Sequence, residues 1–273
     1  MRKNKTALLS VPYIIFMVVF TLIPLGVVAY YALTDPATGA FTLGNLKDLA
    51  MYLPVLGQSV LYSLVSALIC LILGYPVAYF IAHQGKVAQK ILYMLVMLPM
   101  CMSFLLRTLA WVGLLQDTGI INNFLEWIGI GRLQLIRTPA AVVLGMVYNY
   151  LPYMILPLYA IIVKIDHRLI EAAEDLGCTP AQTFVKVVLP LSVPGILSGI
   201  TMVFVPAVST FYISQKLGGT DTVLIGDLIE RLFKQSANRN LGATLSLVLM
   251  ALVFICTGIM NRFGGDEEGG VVV

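Results

Sequence analysis

The residues able to do chemistry are few and badly spaced for covalent work. Cys70, Cys101, Cys178 and Cys256 form no CxxC pair and no metal-ligand spacing, and three of them stand inside apolar runs, so they read as packing residues with no metal site. No HExxH, no GxxxxGK[ST] phosphate loop and no pair of carboxylates within an apolar run occurs. The chain is therefore expected to be no enzyme, to bind no cofactor, and to leave any use of ATP to another subunit. What remains is recognition. Trp111, Tyr148, Asn149, Tyr153, Phe211 and Tyr212, with Asp117 and Asp221, combine ring faces, an amide and carboxylates, a set that suits an ammonium-bearing solute. The competing role for aromatics near the end of an apolar run is anchoring at the lipid interface. Arg107 is the one formal charge inside an apolar run. Counted from Ile91 along a straight helix it falls about 24 Å out, which suits a side chain snorkelling to the outer head groups.

Lipid is the solvent these residues are built for. The chain of 273 residues is 59% hydrophobic and 11% charged, where a soluble domain is about a quarter charged. Apolar stretches at 8–31, 58–82, 91–115, 139–163, 191–214 and 241–260 are each near the ~20 residues that cross a bilayer, which predicts an all-α integral membrane protein with six transmembrane helices. The first run has no convincing small-residue cleavage site and reads as a retained span. Pro24, Pro76, Pro99, Pro152, Pro157 and Pro206 fall within these stretches and imply kinks, while Gly74, Gly113, Gly145, Ser198, Gly199 and Gly258 suit close helix packing. No buried titratable relay of the kind a proton-coupled carrier uses is present, which favours an external energy source.

Charge gives the orientation. The excess of 17 basic over 14 acidic residues is too small to suggest nucleic acid. With the N-terminus inside, nine basic residues face the cytoplasm against seven outside, a weak bias; residues 1–5 and 83–90, however, hold five basic residues and no acid, which predicts both termini cytoplasmic. The expected organisation is an N-terminal tip, first span and outer loop over 1–57, a core over 58–261 with a cytoplasmic loop at 164–190, and a Gly-rich acidic tail over 262–273 expected to be disordered. In the last outer loop, Ile225, Leu228, Ile229, Leu232 and Phe233 share a face opposite Asp227, Glu230, Arg231 and Lys234, as an amphipathic helix on the membrane or against an external partner requires.

The loop at 166–195, DHRLIEAAEDLGCTPAQTFVKVVLPLSVPG, carries the most specific pattern. Leu169, Ala172, Ala173 and Leu176 recur at helical spacing and predict one apolar face, with Glu171, Glu174 and Asp175 on the other side. Gly177 suits the left-handed residue that closes a helix, and Thr179-Pro180 with Gln182 forms a capping box that starts another. The outcome is a helix, a sharp turn and a helix. Two readings fit the composition: an elbow docked in a groove of a cytoplasmic protein, where adjacent alanines allow close approach, or an interfacial helix packed on its own bundle.

The spacing resembles a known signature. Glu171-Ala172-Ala173, three residues, Gly177, nine residues, then Val187, Val188, Leu189 and Pro190 look like the EAA motif of permeases in binding-protein-dependent ABC importers, with Val187 where Ile is usual. The resemblance implies a type I importer permease fold and a coupling helix at Glu171, Ala172, Ala173, Leu176, Gly177, Leu189 and Pro190 that fits a cleft of an ATPase. It also implies the partners: an ATPase dimer, a second similar permease and an external solute-binding protein, all at a bacterial plasma or inner membrane. LLRTLAW at 105–111, NYLPYMILPLY at 149–159 and LGGTDTVLIGDLIERLF at 217–233 further resemble spermidine/putrescine permeases. That resemblance implies polyamine transport by alternating access, against the alternatives of another small solute or of a carrier or channel not driven by ATP.

Overall fold

The computed structural model describes residues 11–35, 39–42, 44–47, 49–220, 222–234 and 238–264. The basic N-terminal tip, Asp221 and the acidic residues of the tail lie outside these described residues. The described chain is helical, its only β feature an isolated Thr34–Phe41 bridge. In order come α1 (Val11–Ala32), α2 (Gly44–Lys47), α3 (Leu49–Ala82), α4 (Lys86–Met97), α5 (Phe104–Leu115) and α6 (Ile120–Trp127), then α7 (Pro139–Ile162), α8 (His167–Asp175), α9 (Pro180–Leu191), α10 (Val193–Val208), α11 (Tyr212–Leu217), α12 (Ile225–Lys234) and α13 (Arg239–Gly264). Among the described residues five helical stretches are long and apolar enough to cross a membrane, or six when α9 and α10, bent by 62° at Ser192, count as one span.

Two of the expected spans are not single helices. The stretch at 91–115 breaks where Pro99 sits in a 3-10 turn over Leu98–Cys101 and Met102 turns extended before α5 starts; a proline cannot donate its backbone N–H, and its ring crowds the carbonyl four residues back. The stretch at 191–214 stops at Val208 and resumes at Tyr212. There the Ser209 hydroxyl donates to the carbonyls of Val205 and Pro206, competing with the backbone that would continue the helix.

The chain forms two compact units, with boundaries inside α3, α12 and α13. In the first, α1 buries only Ala32 and otherwise shows apolar side chains outward, as a helix bathed in lipid does. Its last carbonyls have no helical partner, and side-chain amides supply one. Asn45 Nδ2 donates to Ala32 O and Thr34 O at 3.0 Å, and Asn240 Nδ2 on α13 donates to Thr34 O at 2.6 Å. The Thr244 hydroxyl adds a donor to Ala32 O at 3.2 Å.

The second unit is organised around α7, whose Val142, Met146, Met154 and Leu158 are fully buried. Small residues let its neighbours approach. On α3, Ser59, Ser63, Ser66, Cys70, Gly74 and Ala78 recur every three to four residues and are buried. Ser66 Oγ donates to Met146 Sδ at 3.3 Å, and a Cβ on Gly74 would lie 3.1 Å from Met154 Cγ. On α10, a Cβ on Gly199 would meet Met154 Sδ at 2.6 Å, and one on Gly195 would meet Ile161 at 3.1 Å. Gly145 is as close to Leu217 of α11. Of the positions expected to pack tightly, Gly113 and Gly258 have nothing within 4 Å, and Ser198 is exposed.

The α12 face is also corrected. Asp227, placed on the solvent side by periodicity, is 1% exposed and accepts from Gln215 Nε2 at 2.8 Å. It occupies the first turn of α12, where the helix dipole favours a carboxylate.

Gly199→Leu should force α10 off α7 and destabilise the bundle by roughly 1–3 kcal/mol. The measurement is the thermal unfolding midpoint of the detergent-solubilised protein, with Gly258→Leu, where space is open, as the unshifted control.

Candidate coupling elbow and solute path

The elbow forms through local backbone chemistry. The Asp166 side chain caps α8 by accepting from Arg168 N at 3.0 Å. At the far end Gly177 has φ +86°, its N–H donates to Glu174 O at 2.8 Å, and Cys178 N–H donates to Ala173 O at 3.0 Å. That pair of bonds is a Schellman closure, which needs the left-handed residue glycine supplies. Thr179 then starts α9 with both halves of the capping box present: Thr179 N–H donates to Gln182 Oε1 at 3.0 Å, and Gln182 N–H donates to Thr179 Oγ1 at 3.4 Å.

The apolar residues of α8 divide. Ala173 is buried and Ile170 half-buried, whereas Leu169, Ala172 and Leu176 point outward together with Glu171 and Gly177. The expected single packed face is thus two: one toward the bundle, and one without a partner on which Leu176 is 86% exposed. Leu189 packs against the core and Pro190 is exposed near the end of α9, away from the α8 face in sequence.

The expected path residues fall into a ring cluster and outliers. Trp111 of α5 meets Tyr148 of α7 edge-on at 5.4 Å between centroids, and Tyr150 meets Tyr153 at 6.3 Å. Phe104, which residue type alone does not single out, links Tyr150 to Tyr212, its ring 6.5 Å from the first and 6.4 Å from the second, so that a Phe104, Tyr150, Tyr153 and Tyr212 set stands beside the Trp111–Tyr148 pair of α5 and α7. The ammonium of Lys216 sits 5.7 Å from the Tyr212 ring centre, so this ring already receives a cation. Asn149 is 1% exposed, with Nδ2 donating to Gly145 O at 2.9 Å and Oδ1 without a partner. Phe211 is exposed just before α11. Asp117 stands apart from the rings in a cleft with Arg132, Gln134 and Arg137. Arg107 does not reach outward as the straight-helix count suggested: the break before α5 voids that count, and the side chain is 6% exposed.

Residues 71–263 match the family described as the binding-protein-dependent transport system inner membrane component. The chain belongs to this family. Relatives are permeases by name. The chain is 38% identical over 213 residues to the spermidine/putrescine transport system permease protein PotB of Escherichia coli K12, covering 77% of this chain and 78% of the relative. It is 37% identical over 250 residues to PotB of Haemophilus influenzae, covering 87% of each. Among solved structures, a bacterial ABC transporter involved in the import of alginate aligns with a TM-score of 0.82 at 19% identity over 96% of both chains. The MetNI methionine ABC transporter aligns at 0.60 and 17% identity over 79% of this chain and 95% of that one. These likenesses give the fold of an importer permease. The protein is accordingly a multi-pass inner-membrane permease, a transport subunit of an ABC importer.

In this permease α9 is tied to the bundle by residues the sequence reading passed over. The Phe184 ring meets both Tyr75 and Tyr79 edge-on at 5.5 Å. Tyr75 Oη lies 2.8 Å from Ser192 Oγ, and Ser192 in turn donates to Leu189 O at 2.9 Å. The available signal was Tyr75 and Tyr79, two aromatic residues one turn apart near the C-terminal end of a span.

Tyr75→Phe keeps the rings and removes that hydroxyl contact, a loss of about 1 kcal/mol. Amides of residues 180–191 should then exchange with deuterium about fivefold faster, while those of α7 stay protected.

Proposed function

We propose that this permease imports polyamines such as spermidine and putrescine, and that an ATPase dimer docked on the α8–α9 elbow drives it from the cytoplasmic side. ATP is bound and hydrolysed by that partner. A second, similar permease completes the path and an external binding protein delivers the solute. The observation that carries the coupling role is the unpartnered face of α8: Leu169, Ala172 and Leu176 are exposed on a helix whose two ends are closed by well-formed caps. A helix this well determined yet left with bare leucines suits insertion into a groove of another protein.

The solute class follows from the spermidine/putrescine relatives, and the ring cluster supports it. Phe104, Trp111, Tyr148, Tyr153 and Tyr212 place π faces on three neighbouring helices. Rings of this kind hold ammonium groups by about 0.5–2 kcal/mol each, enough to bind a polycation and weak enough to release it. Closure of the ATPases moves the elbow, and the path opens alternately outward and inward.

The complete complex in proteoliposomes, with its binding protein, should take up labelled spermidine only with ATP inside. Unlabelled putrescine and spermidine should compete and sugars should not. A complex that transports another solute and ignores polyamines refutes the solute while leaving the elbow's role standing.

Both termini are placed inside. In a variant without the native cysteines, a single cysteine at Asn123 or Asn238 should react in intact cells with a membrane-impermeant maleimide. One at Gln182, exposed on the elbow, should react only after the membrane is opened. Outside labelling of Gln182→Cys would detach the elbow from any cytoplasmic ATPase.

A further inference from the structure

Arg107 is the buried group that the transport reading leaves unused. It lies on α5 one turn after Phe104 and one turn before Trp111, on the side that also buries Thr108 and Leu115. Nε and Nη1 are sealed from solvent without a hydrogen-bond partner, and no acid among the described residues forms an ion pair with the guanidinium. The neighbouring Tyr150 hydroxyl donates to Pro206 O at 3.3 Å. The other buried charge, Asp227, is matched by Gln215. Arg107 is not matched.

A guanidinium stays charged at any pH that proteins meet, so it cannot escape burial by losing a proton. Held inside a membrane bundle it requires an anion, and its planar donor fork fits a carboxylate in two-point contact. A bare cation beside the rings would also repel a polycation that rests on them. We propose that Arg107 is a carboxylate-binding site completed by an acidic group from outside this chain. Two sources share that chemistry: a Glu or Asp side chain of the second permease, and a carboxylate on the solute. Polyamines carry none, so the source, though not the site, rests on the polyamine reading, and that reading places the acid on the second permease.

The test uses the complete complex in proteoliposomes with Arg107→Met, Arg107→Lys and Arg107→Glu. Each is scored for membrane level, co-purified second permease, and uptake of labelled spermidine and labelled glutamate. Arg107→Met removes a buried charge and inserts no less readily, yet should lose spermidine uptake on the order of a hundredfold, because it strands the acid. Arg107→Lys should keep more of the uptake than Arg107→Met. Arg107→Glu should be rescued by a Lys replacing one particular acid of the second permease, a replacement defective on its own. Wild-type complex that takes up glutamate and not spermidine, with glutamate uptake lost in Arg107→Met, would keep the site, assign the carboxylate to the solute and reject the polyamine reading. Arg107→Met at wild-type uptake overturns the site. So does a loss that no charge exchange repairs in a complex that transports spermidine.

Discussion

Inside hydrocarbon a carbonyl or amide freed from its helix has no water to turn to, so each interruption of a helix must bring its own partner. The structure follows this rule where its helices stop. The end of α1 exposes the carbonyls of Ala32 and Thr34, and Asn45, Asn240 and Thr244 meet them. At the start of α12 the Ile225 amide finds the Ser59 hydroxyl at 2.8 Å, across a gap of 166 residues in sequence. Where α9 bends into α10, Ser192 takes up Leu189 O and is held in turn by Tyr75. Many polar residues in this permease are thus the partners that its helix breaks require. Among the described residues Asn149 Oδ1, Thr183 Oγ1 and Arg107 are exceptions, and Asn149 and Arg107 lie on the helices that carry the rings.

Legibility in the sequence followed the range of the interaction. The elbow was readable because each of its features is local: a positive φ at Gly177 and a capping box at Thr179–Gln182 depend on residues a few positions apart, and both are present as expected. Span number was readable because apolar length alone decides it. Helix continuity was not, since hydropathy is blind to whether the backbone through Leu98, Pro99 and Met102 stays helical. The misplaced depth of Arg107 is a direct consequence. Asp227 was misassigned for a related reason: periodicity assigns faces, but burial was decided by Gln215 on another helix. The serine stripe on α3 is hard to read because Ser59, Ser63 and Ser66 lower hydropathy only slightly, and the partners of Ser59 and Ser66, the Ile225 amide and Met146, are distant in sequence.

The candidate path shows the same division. Residue type and depth point to Trp111, Tyr148, Tyr153 and Tyr212; the fold pairs Trp111 with Tyr148 and joins Tyr153 to Tyr212 through Tyr150 and Phe104, the last of which is placed by the new start of α5 after the break. Asp117 meets the same criterion and falls elsewhere, in a cleft with Arg132 and Arg137. Residue type names the chemistry available, whereas a side chain's membership of a cluster is a three-dimensional fact.

Transmission from elbow to path needs stiffness at both ends and small residues between. Caps close α8 and α9 on either side of Gly177, so a force on Leu176 acts on a determined unit, with little chain to absorb it. Phe184 and Ser192 then join α9 to Tyr75 and Tyr79 of α3. Beyond the bend, Gly195 and Gly199 bring the α10 backbone against Ile161, Pro157 and Met154 of α7, with only the α7 side chains between the two backbones. On that same helix, Tyr148, Tyr150 and Tyr153 belong to the ring cluster. Close-packed interiors shift between discrete arrangements and resist gradual deformation. On the proposed coupling role, a displacement of the elbow would reach the rings as a rigid movement of α10 and α7, with the close contacts at Gly195 and Gly199 carrying it.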